Sequence, residues 1–270
     1  MNKIAIHSVP RSGSSWLGEI INSSPDVNYA FQPLFSYEFK SRLDENSSLT
    51  DINKFYQGFS QSEDEFIRQS ADRLSGKKPL FRKNNEFTAL AYKEVRYHYI
   101  LENLLKKDPK QKVIGLVRHP LAVLSSWKNA PREFRSDLGW DFDKEWNFAN
   151  LKNKGKNEEY FGYQKWKETS LMFKKIELQY PENFLLINYS QLLSNIEVSL
   201  DIIFKFLDLE LGEQTRQFIE TTHYEPVNNT YSVFQKKGKI DNVSPLNIST
   251  EISKSIIVDC HNSGLSEFLD

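Results

Sequence analysis

The sequence predicts an α/β fold in which a central parallel β-sheet is flanked by helices. Three observations predict it. Short apolar runs alternate with longer amphipathic ones, a strand, a glycine-containing loop and a helix follow one another at the amino terminus, and two long polar stretches interrupt the alternation. Apolar runs that alternate with amphipathic segments are typical of βαβ units, and such units build a parallel sheet.

Four apolar runs are predicted to be strands, and they lie at residues 4–6, 27–31, 112–117 and 184–187. The third run is apolar apart from its first residue and one glycine, which is typical of a buried central strand. The fourth run follows a turn signal, a proline with glutamate and asparagine after it.

Four amphipathic segments are predicted to be helices between these strands, because the positions that share one face recur every three or four residues. In chain order these positions are Trp16, Leu17, Ile20 and Ile21; Val95, Tyr99, Leu101 and Leu105; Trp166, Ser170, Phe173 and Ile176; and Ile196, Leu200, Ile203, Phe204 and Leu207. The first helix is predicted to end at residues 22–25 and the third before Pro181.

Residues 36–78 and 131–160 show the least regular pattern and are predicted to be long loop insertions over one side of the sheet. Ligands of open parallel sheets bind at the carboxyl ends of the strands, where such loops gather. We expect residues 1–270 to form a single domain with these insertions.

Composition excludes several classes of protein. The formal net charge is −1, which does not favour a nucleic-acid partner. No apolar run approaches the ~20 residues that cross a bilayer, and the first residues lead directly into a loop, without an apolar signal segment. Cys260 is the only cysteine, so an internal disulfide is impossible. We therefore expect a cytoplasmic protein without a membrane partner.

The strand, loop and helix at residues 4–21 are predicted to bind an anion. Gly13 allows a sharp turn, after which the amides of residues 13–16 point outward at the positive end of a helix. Arg11 adds a permanent charge, and Ser14 and Ser15 add hydroxyl groups. The alternative is a serine-rich turn that only caps the helix, but it leaves Arg11 unexplained.

This P-loop-like segment differs from a nucleoside-triphosphate loop. The pattern G-x-x-x-x-G-K-[ST], aligned on Gly13, would need glycine where Ser8 stands and lysine where Ser14 stands. A 5′-phosphosulfate carries less charge than a triphosphate and needs no Mg²⁺, so it fits the loop better and no metal is expected.

A second anion site is predicted after the strand at 112–117. Arg118 follows this strand, Pro120 suits the first position of a helix, and Ser126 returns to the side of Arg118 after about two turns. The alternative is an arginine that pairs with a carboxylate. Two anion sites on neighbouring strands suit a nucleotide with phosphates at both 5′ and 3′ positions.

These residues resemble the sulfotransferases that use 3′-phosphoadenosine-5′-phosphosulfate. Residues 10–17 resemble their 5′-phosphosulfate loop, residues 118–126 their 3′-phosphate motif, and residues 234–238 their late Arg-Lys-Gly element, while Tyr189 matches a tyrosine beside the adenine. The resemblance thus implies contacts to the donor nucleotide from Arg11, Ser12, Gly13, Ser14, Ser15, Trp16, Arg118, Ser126, Tyr189, Lys236, Lys237 and Gly238.

The resemblance is closest to the carbohydrate sulfotransferases, through residues 11–27 and 112–126. Their Golgi members have a membrane anchor and several cysteines, so this chain resembles a bacterial, soluble relative. The resemblance implies transfer of a sulfuryl group to a hydroxyl acceptor, a small molecule or glycan, with the insertions over the acceptor side.

For catalysis, the resemblance implies three residues. Arg11 would stabilise the departing phosphate electrostatically, and Lys93 resembles a lysine near the transferred group, the alternative being a surface lysine at a strand end. Gln32 stands where the carbohydrate branch has a glutamate base, and an amide cannot accept a proton at neutral pH.

The general base therefore stays open, and the candidates are Glu38, Glu94, His7 and His119, although His7 also suits a structural role. Two further hypotheses follow: a nucleotide-binding protein with weak catalysis, and a kinase with a degenerate P-loop.

Overall fold

The computed structural model describes residues 1–224 and 247–270, and a parallel sheet lies at its centre. Its strands are β1 (Asn2–His7), β2 (Val27–Phe31), β3 (Ala89–Glu94), β4 (Gln111–Val117) and β5 (Phe184–Asn188). The order across the sheet is β2-β3-β1-β4-β5, and every neighbouring pair is parallel. All carboxyl ends therefore meet at one edge, and the predicted fold class is confirmed.

Helices cover both faces of this sheet. They are α1 (Ser14–Asn22), α2 (Leu49–Gln61), α3 (Glu65–Arg68), α4 (Ser70–Leu74), α5 (Leu101–Lys107), α6 (Pro120–Lys128), α7 (Phe142–Glu145), α8 (Asn150–Asn153), α9 (Tyr163–Gln179), α10 (Tyr189–Ser194), α11 (Ile196–Phe206), α12 (Glu213–Tyr224) and α13 (Thr250–Asn262). Short 3₁₀ turns lie at Pro33–Phe35, His98–Ile100, Ser136–Leu138 and Ser266–Phe268.

The two faces of the sheet carry separate apolar cores. On one face, α1, α11 and α12 pack against Ile4, Ile6 and Ile114. On the other, α2, α5, α6, α9 and α13 pack around Tyr92 and Val113. The connection from β1 to β2 runs in one direction across the sheet, and the connections from β2 to β5 run in the opposite direction. Crossover connections between parallel strands are right-handed. Connections that run in opposite directions therefore place their helices on opposite faces of the sheet.

The four predicted strands are present, and β3 is a fifth that the sequence pattern did not indicate. All six of its residues are buried, including a lysine and a glutamate at its end. A strand that ends in two charges has the pattern of a surface segment. These charges are buried because β3 lies between β1 and β2.

One predicted helix begins later than expected. Its pattern starts at Val95, but α5 begins at Leu101 after a 3₁₀ turn. Tyr97 has a positive φ of 58°, and a non-glycine residue in this left-handed region cannot continue a helix. The chain therefore turns at Tyr97 before α5 starts.

The first predicted insertion, residues 36–78, also contains a core helix. In α2 the side chains of Ile52, Phe55 and Phe59 are buried in the same core as Tyr92 of β3. A reciprocal capping box of Ser48 and Asp51 fixes the start of α2. This part of the insertion is thus a layer of the fold.

Candidate functional site

The loop between β1 and α1 needs glycine at position 13 for two reasons. Gly13 has φ of 91° at the N-cap of α1, where a side chain would be strained. A Cβ atom at this position would also lie 2.4 Å from Cε2 of Tyr189. The loop conformation and the packing of Tyr189 are therefore possible only without a side chain at residue 13.

The start of α1 offers hydrogen-bond donors to a ligand. No side chain caps this helix, and its first turn, which includes Ser14 and Ser15, carries no acidic residue. Ser12 Oγ and Trp16 Nε1 are buried and have no hydrogen-bond partner among the described residues. Buried donors of this kind cost free energy unless a ligand or water satisfies them. These features fit an anionic ligand at the helix start.

Arg11 joins the two predicted anion sites. Its Nε donates to Oγ of Ser126 over 3.1 Å, and its backbone carbonyl accepts from Nη1 of Arg118 over 3.1 Å. Arg11 also has a positive φ of 72°, a backbone conformation that few residues other than glycine adopt. The carboxyl ends of β1 and β4 thus carry one cationic cluster.

Tyr189 closes this cluster from the side of β5. It is the first residue of α10, and its ring centroid lies 5.1 Å from the guanidinium carbon of Arg118 and 6.3 Å from the ring of Trp16. Trp166 Nε1 donates to the carbonyl of Arg118 over 2.9 Å and fixes the backbone there. The ring of Tyr189 therefore borders both predicted anion sites, at Gly13 and at Arg118.

Lys93 lies inside the protein rather than on its surface. Its side chain projects from β3, the residue is 2% exposed, and its Nζ is 4.5 Å from the centroid of the Phe31 ring. Burial lowers the pKa of Lys93, whereas burial raises the pKa of the neighbouring Glu94. A buried, weakly solvated cation at a strand end is typical of a functional position.

Gln32 follows β2 with a left-handed φ of 45°. Its backbone N–H donates to the carbonyl of Lys93 over 2.8 Å. Its Oε1 accepts from Nη1 of Arg96 over 3.3 Å, and Arg96 Nε lies 3.2 Å from Oε1 of Glu159. The side-chain amide is therefore held beside the end of β3 by a charged network that reaches the second insertion.

Both histidines among the candidate bases have structural positions. His7 is fully buried, its Nδ1 lies 2.9 Å from Nδ1 of His98, and burial lowers the pKa of His7 to about 3. His119 caps α6, because its Nδ1 accepts from the backbone N–H of Leu121 over 3.1 Å.

The two carboxyl candidates are also engaged. Glu38 is exposed and accepts from the hydroxyl of Ser62. Glu94 is fully buried, and its Oε1 accepts from the backbone N–H of Leu34 over 2.8 Å.

The structure adds Glu133, which the sequence pattern did not indicate. Its Oε2 lies 3.7 Å from Nε of Arg11, and its charge acts on Lys93 and Lys152. Glu133 lies in the irregular segment after α6, seven positions beyond Ser126. No spacing rule links it to residue 11, so only the folded chain brings the two together.

The remaining predicted contacts, Lys236, Lys237 and Gly238, lie outside the described residues. Within residues 1–224 and 247–270, no group of three or more His, Cys, Asp or Glu side chains is placed to hold a metal ion. In the same ranges, none of the helices has the length and apolar character needed to cross a membrane.

Three solved structures share this fold. Mouse sulfotransferase SULT7A1 complexed with PAP is 15% identical with a TM-score of 0.54, and the match covers 99% of this chain and 87% of that chain. Retinol dehydratase in complex with androsterone and inactive PAP is 14% identical with a TM-score of 0.52, covering 97% and 80%. The same enzyme with retinol and PAP is 15% identical with a TM-score of 0.50, covering 97% and 80%.

At these identities the structural likeness shows the fold. No curated protein sequence gives a significant match. The family model of the sulfotransferase domain matches residues 1–263, nearly the whole chain. With the glycine loop at the start of α1 and the paired arginines beside it, this match shows that the chain belongs to the sulfotransferase domain family.

Proposed function

We propose that the chain transfers a sulfuryl group from 3′-phosphoadenosine-5′-phosphosulfate to a hydroxyl acceptor. One observation carries the proposal: Arg11 connects the start of α1 with Ser126 and Arg118, so that the two predicted anion sites share one cluster. A donor with phosphates at both 5′ and 3′ positions has this distribution of charge. PAP is named in the three solved structures described above.

The described residues fit such a donor. The amides at the start of α1, with Arg11 and residues 12–15, would hold the 5′-phosphosulfate, and Arg118 with Ser126 would hold the 3′-phosphate. Trp16 and Tyr189 would border the adenine. Lys236, Lys237 and Gly238 stay predicted contacts to the 3′-phosphate. The unsatisfied donors of Ser12 and Trp16 support a polar ligand here.

The donor supplies an activated sulfuryl group, and sulfuryl transfer is expected to pass through a loose in-line transition state, as phosphoryl transfer does. Arg11 and the helix-start amides would stabilise the negative charge that grows on the departing 5′-phosphate. Lys93 would stabilise the charge on the sulfuryl oxygens, and Gln32 would orient the acceptor hydroxyl by a hydrogen bond.

For the acceptor, we propose a carbohydrate or a sugar-bearing metabolite, and a cytoplasmic place of action. The likeness of residues 11–27 and 112–126 to the carbohydrate branch supports this class. The retinol dehydratase structures name retinol and androsterone, so hydroxyl-bearing lipids belong in the same acceptor panel. A second candidate function, nucleotide binding with weak turnover, is favoured by Gln32 at the position of the usual base.

The test is incubation with donor carrying ³⁵S in its sulfuryl group, with sugars, phenols and retinol as acceptors. We expect label in at least one acceptor, and binding of adenosine 3′,5′-bisphosphate that a chelator does not change. Stoichiometric binding without label transfer would favour the second candidate. Failure to bind either nucleotide would contradict both.

A further inference from the structure

We propose that Glu133 is the general base that accepts the proton of the acceptor hydroxyl. This inference rests on the proposed function and assigns a catalytic role to a carboxylate outside the family's usual position. It is carried by the position of Glu133 beside Arg11, with 3.7 Å between Oε2 of Glu133 and Nε of Arg11.

The other candidates are less suitable. Glu38 is exposed and accepts from the hydroxyl of Ser62, and among the described residues no ion pair joins it to Arg11 or Lys93. Gln32 has no basic site, and His7 is buried against His98, away from solvent. His119 uses Nδ1 to cap α6. Glu94 is fully buried, so an acceptor hydroxyl cannot reach its carboxylate, and burial also raises its pKa.

Glu133 has the geometry that a base needs. Its backbone N–H donates to the carbonyl of Ala130 over 2.8 Å, which fixes the turn directly after α6. Its side chain is 26% exposed, so a substrate can reach it. Its Oε2 faces Arg11 and is shielded from solvent, and it has no hydrogen-bond partner among the described residues. An acceptor hydroxyl would therefore approach the carboxylate through the exposed part of the side chain.

The distance to Arg11 relates Glu133 to the donor cluster. Arg11 Nε is 3.7 Å from Oε2 of Glu133, beyond hydrogen-bonding distance, so a phosphate at Arg11 would not have to replace a hydrogen bond from Nε to Glu133. The negative charge of Glu133 also acts on the buried Lys93. The carboxylate thus lies beside the proposed leaving-group site.

In the proposed step, the acceptor oxygen forms a bond to sulfur while the bond from sulfur to the bridging oxygen of the 5′-phosphate breaks. The acceptor's proton passes to the carboxylate of Glu133 and is later released to water. The products are the sulfate ester, adenosine 3′,5′-bisphosphate and one proton, so charge and atoms balance.

The test compares Glu133→Gln with the unsubstituted chain on two acceptors, phenol and 4-nitrophenol. Phenol has a pKa near 10, as tyrosine does, and needs a base, whereas the far more acidic 4-nitrophenol is already partly ionised near neutral pH and depends much less on a base. General-base catalysis contributes roughly 10²–10⁴-fold. We therefore expect Glu133→Gln to lower kcat for phenol about a hundredfold or more, and for 4-nitrophenol by less than about tenfold.

Three controls separate this role from a structural one. Glu133→Asp keeps the carboxylate and should restore part of the phenol activity. Glu102→Gln removes an exposed carboxylate that pairs with Lys175 on the surface, and it should leave both activities unchanged. Binding of adenosine 3′,5′-bisphosphate by Glu133→Gln should be unchanged or tighter, because a negative charge near Arg11 is removed.

An equal loss of activity on both phenols, or weaker nucleotide binding by Glu133→Gln, would overturn the role of Glu133 while leaving the proposed function intact. Full activity of Glu133→Gln on phenol would do the same. If the unsubstituted chain transfers no label to any acceptor, the proposed function fails, and the role of Glu133 fails with it.

Discussion

The donor side of the site, at the ends of β1 and β4, combines backbone groups, a left-handed glycine and the amides of a helix start, with the side chains of Arg11 and Arg118. The acceptor side, at the ends of β2 and β3, is built from buried charged side chains, including Lys93 and Glu94. The donor side therefore depends on the shape of the loop as well as on charge, whereas the acceptor side depends on buried charges that influence one another. Substitutions on the two sides should therefore differ in which step they affect.

The largest effect is expected on the acceptor side, for Lys93→Met. Methionine fills similar space without the charge, so the stabilisation of sulfuryl oxygens is lost, and loss of one such group costs about 10²–10³ in kcat. Binding of adenosine 3′,5′-bisphosphate should stay within about threefold, since this side does not hold the phosphates. Turnover with saturating donor and titration calorimetry measure the two quantities.

Lys78→Met is the matched control, because Nζ of Lys78 also lies 4.5 Å from the Phe31 ring. We expect it to leave kcat nearly unchanged. Equal losses for the two lysines would assign the effect to the packing of Phe31, and the contrast between the two sides would then weaken.

The next effect is expected on the donor side, for Gly13→Ala. The new methyl group would collide with Tyr189. The alanine would also have to adopt a positive φ, a strain of roughly 1–3 kcal/mol. We expect affinity for adenosine 3′,5′-bisphosphate to fall about a hundredfold. Gly139→Ala shares the positive φ but meets no atom within 4 Å, so it should reduce stability slightly and leave binding unchanged. Similar binding by both variants would exclude the collision as the cause.

A smaller donor-side effect is expected for Arg118→Ala. Hydrogen bonds to charged groups contribute about 1.5–3 kcal/mol, so affinity for adenosine 3′,5′-bisphosphate should fall about ten- to a hundredfold. Affinity for adenosine 5′-phosphate, which lacks the 3′-phosphate, should change little. If the substitution lowers the affinity for both nucleotides by the same factor, Arg118 does not recognise the 3′-phosphate.

The smallest effect concerns stability and the histidine at the end of β1. Burial lowers the pKa of His7 to about 3, while an unfolded histidine titrates near 6.5. Between these values the unfolded chain binds a proton that the folded chain does not, so stability falls as pH decreases through this window. We expect the unfolding free energy to drop by about 1–2 kcal/mol between pH 6.5 and 5, less so in His7→Gln. An unchanged slope in that variant would show that other groups carry the dependence.

The difference between the donor side and the acceptor side also explains which parts of the site could be predicted from the sequence. The donor loop and the turn after β4 are local patterns, so Gly13, Arg118 and Ser126 could be placed from spacing alone, and the structure brings them together. Strand β3 was missed because its terminal lysine and glutamate mimic a surface segment, although all its residues are buried. Helix α2 was missed because its polar residues obscure the four buried apolar positions.

The acceptor side could not be predicted in the same way. Glu133 reaches Arg11 only through the fold, since 122 positions (133 − 11) separate them in the sequence. The roles of Gln32 and Lys93 came from the resemblance to a family, and the roles of Lys236, Lys237 and Gly238 stay predictions.

Tyr189 contacts Gly13 closely and borders both Trp16 and Arg118. Because one ring supports the loop, the proposed adenine surface and the second arginine, these parts cannot adjust independently. The binding free energies of separate donor fragments should therefore not add up to that of the whole nucleotide. We expect adenosine and phosphate, each measured alone, to bind far more weakly than simple addition would require. We therefore expect the pocket to prefer a whole nucleotide over adenosine or phosphate alone.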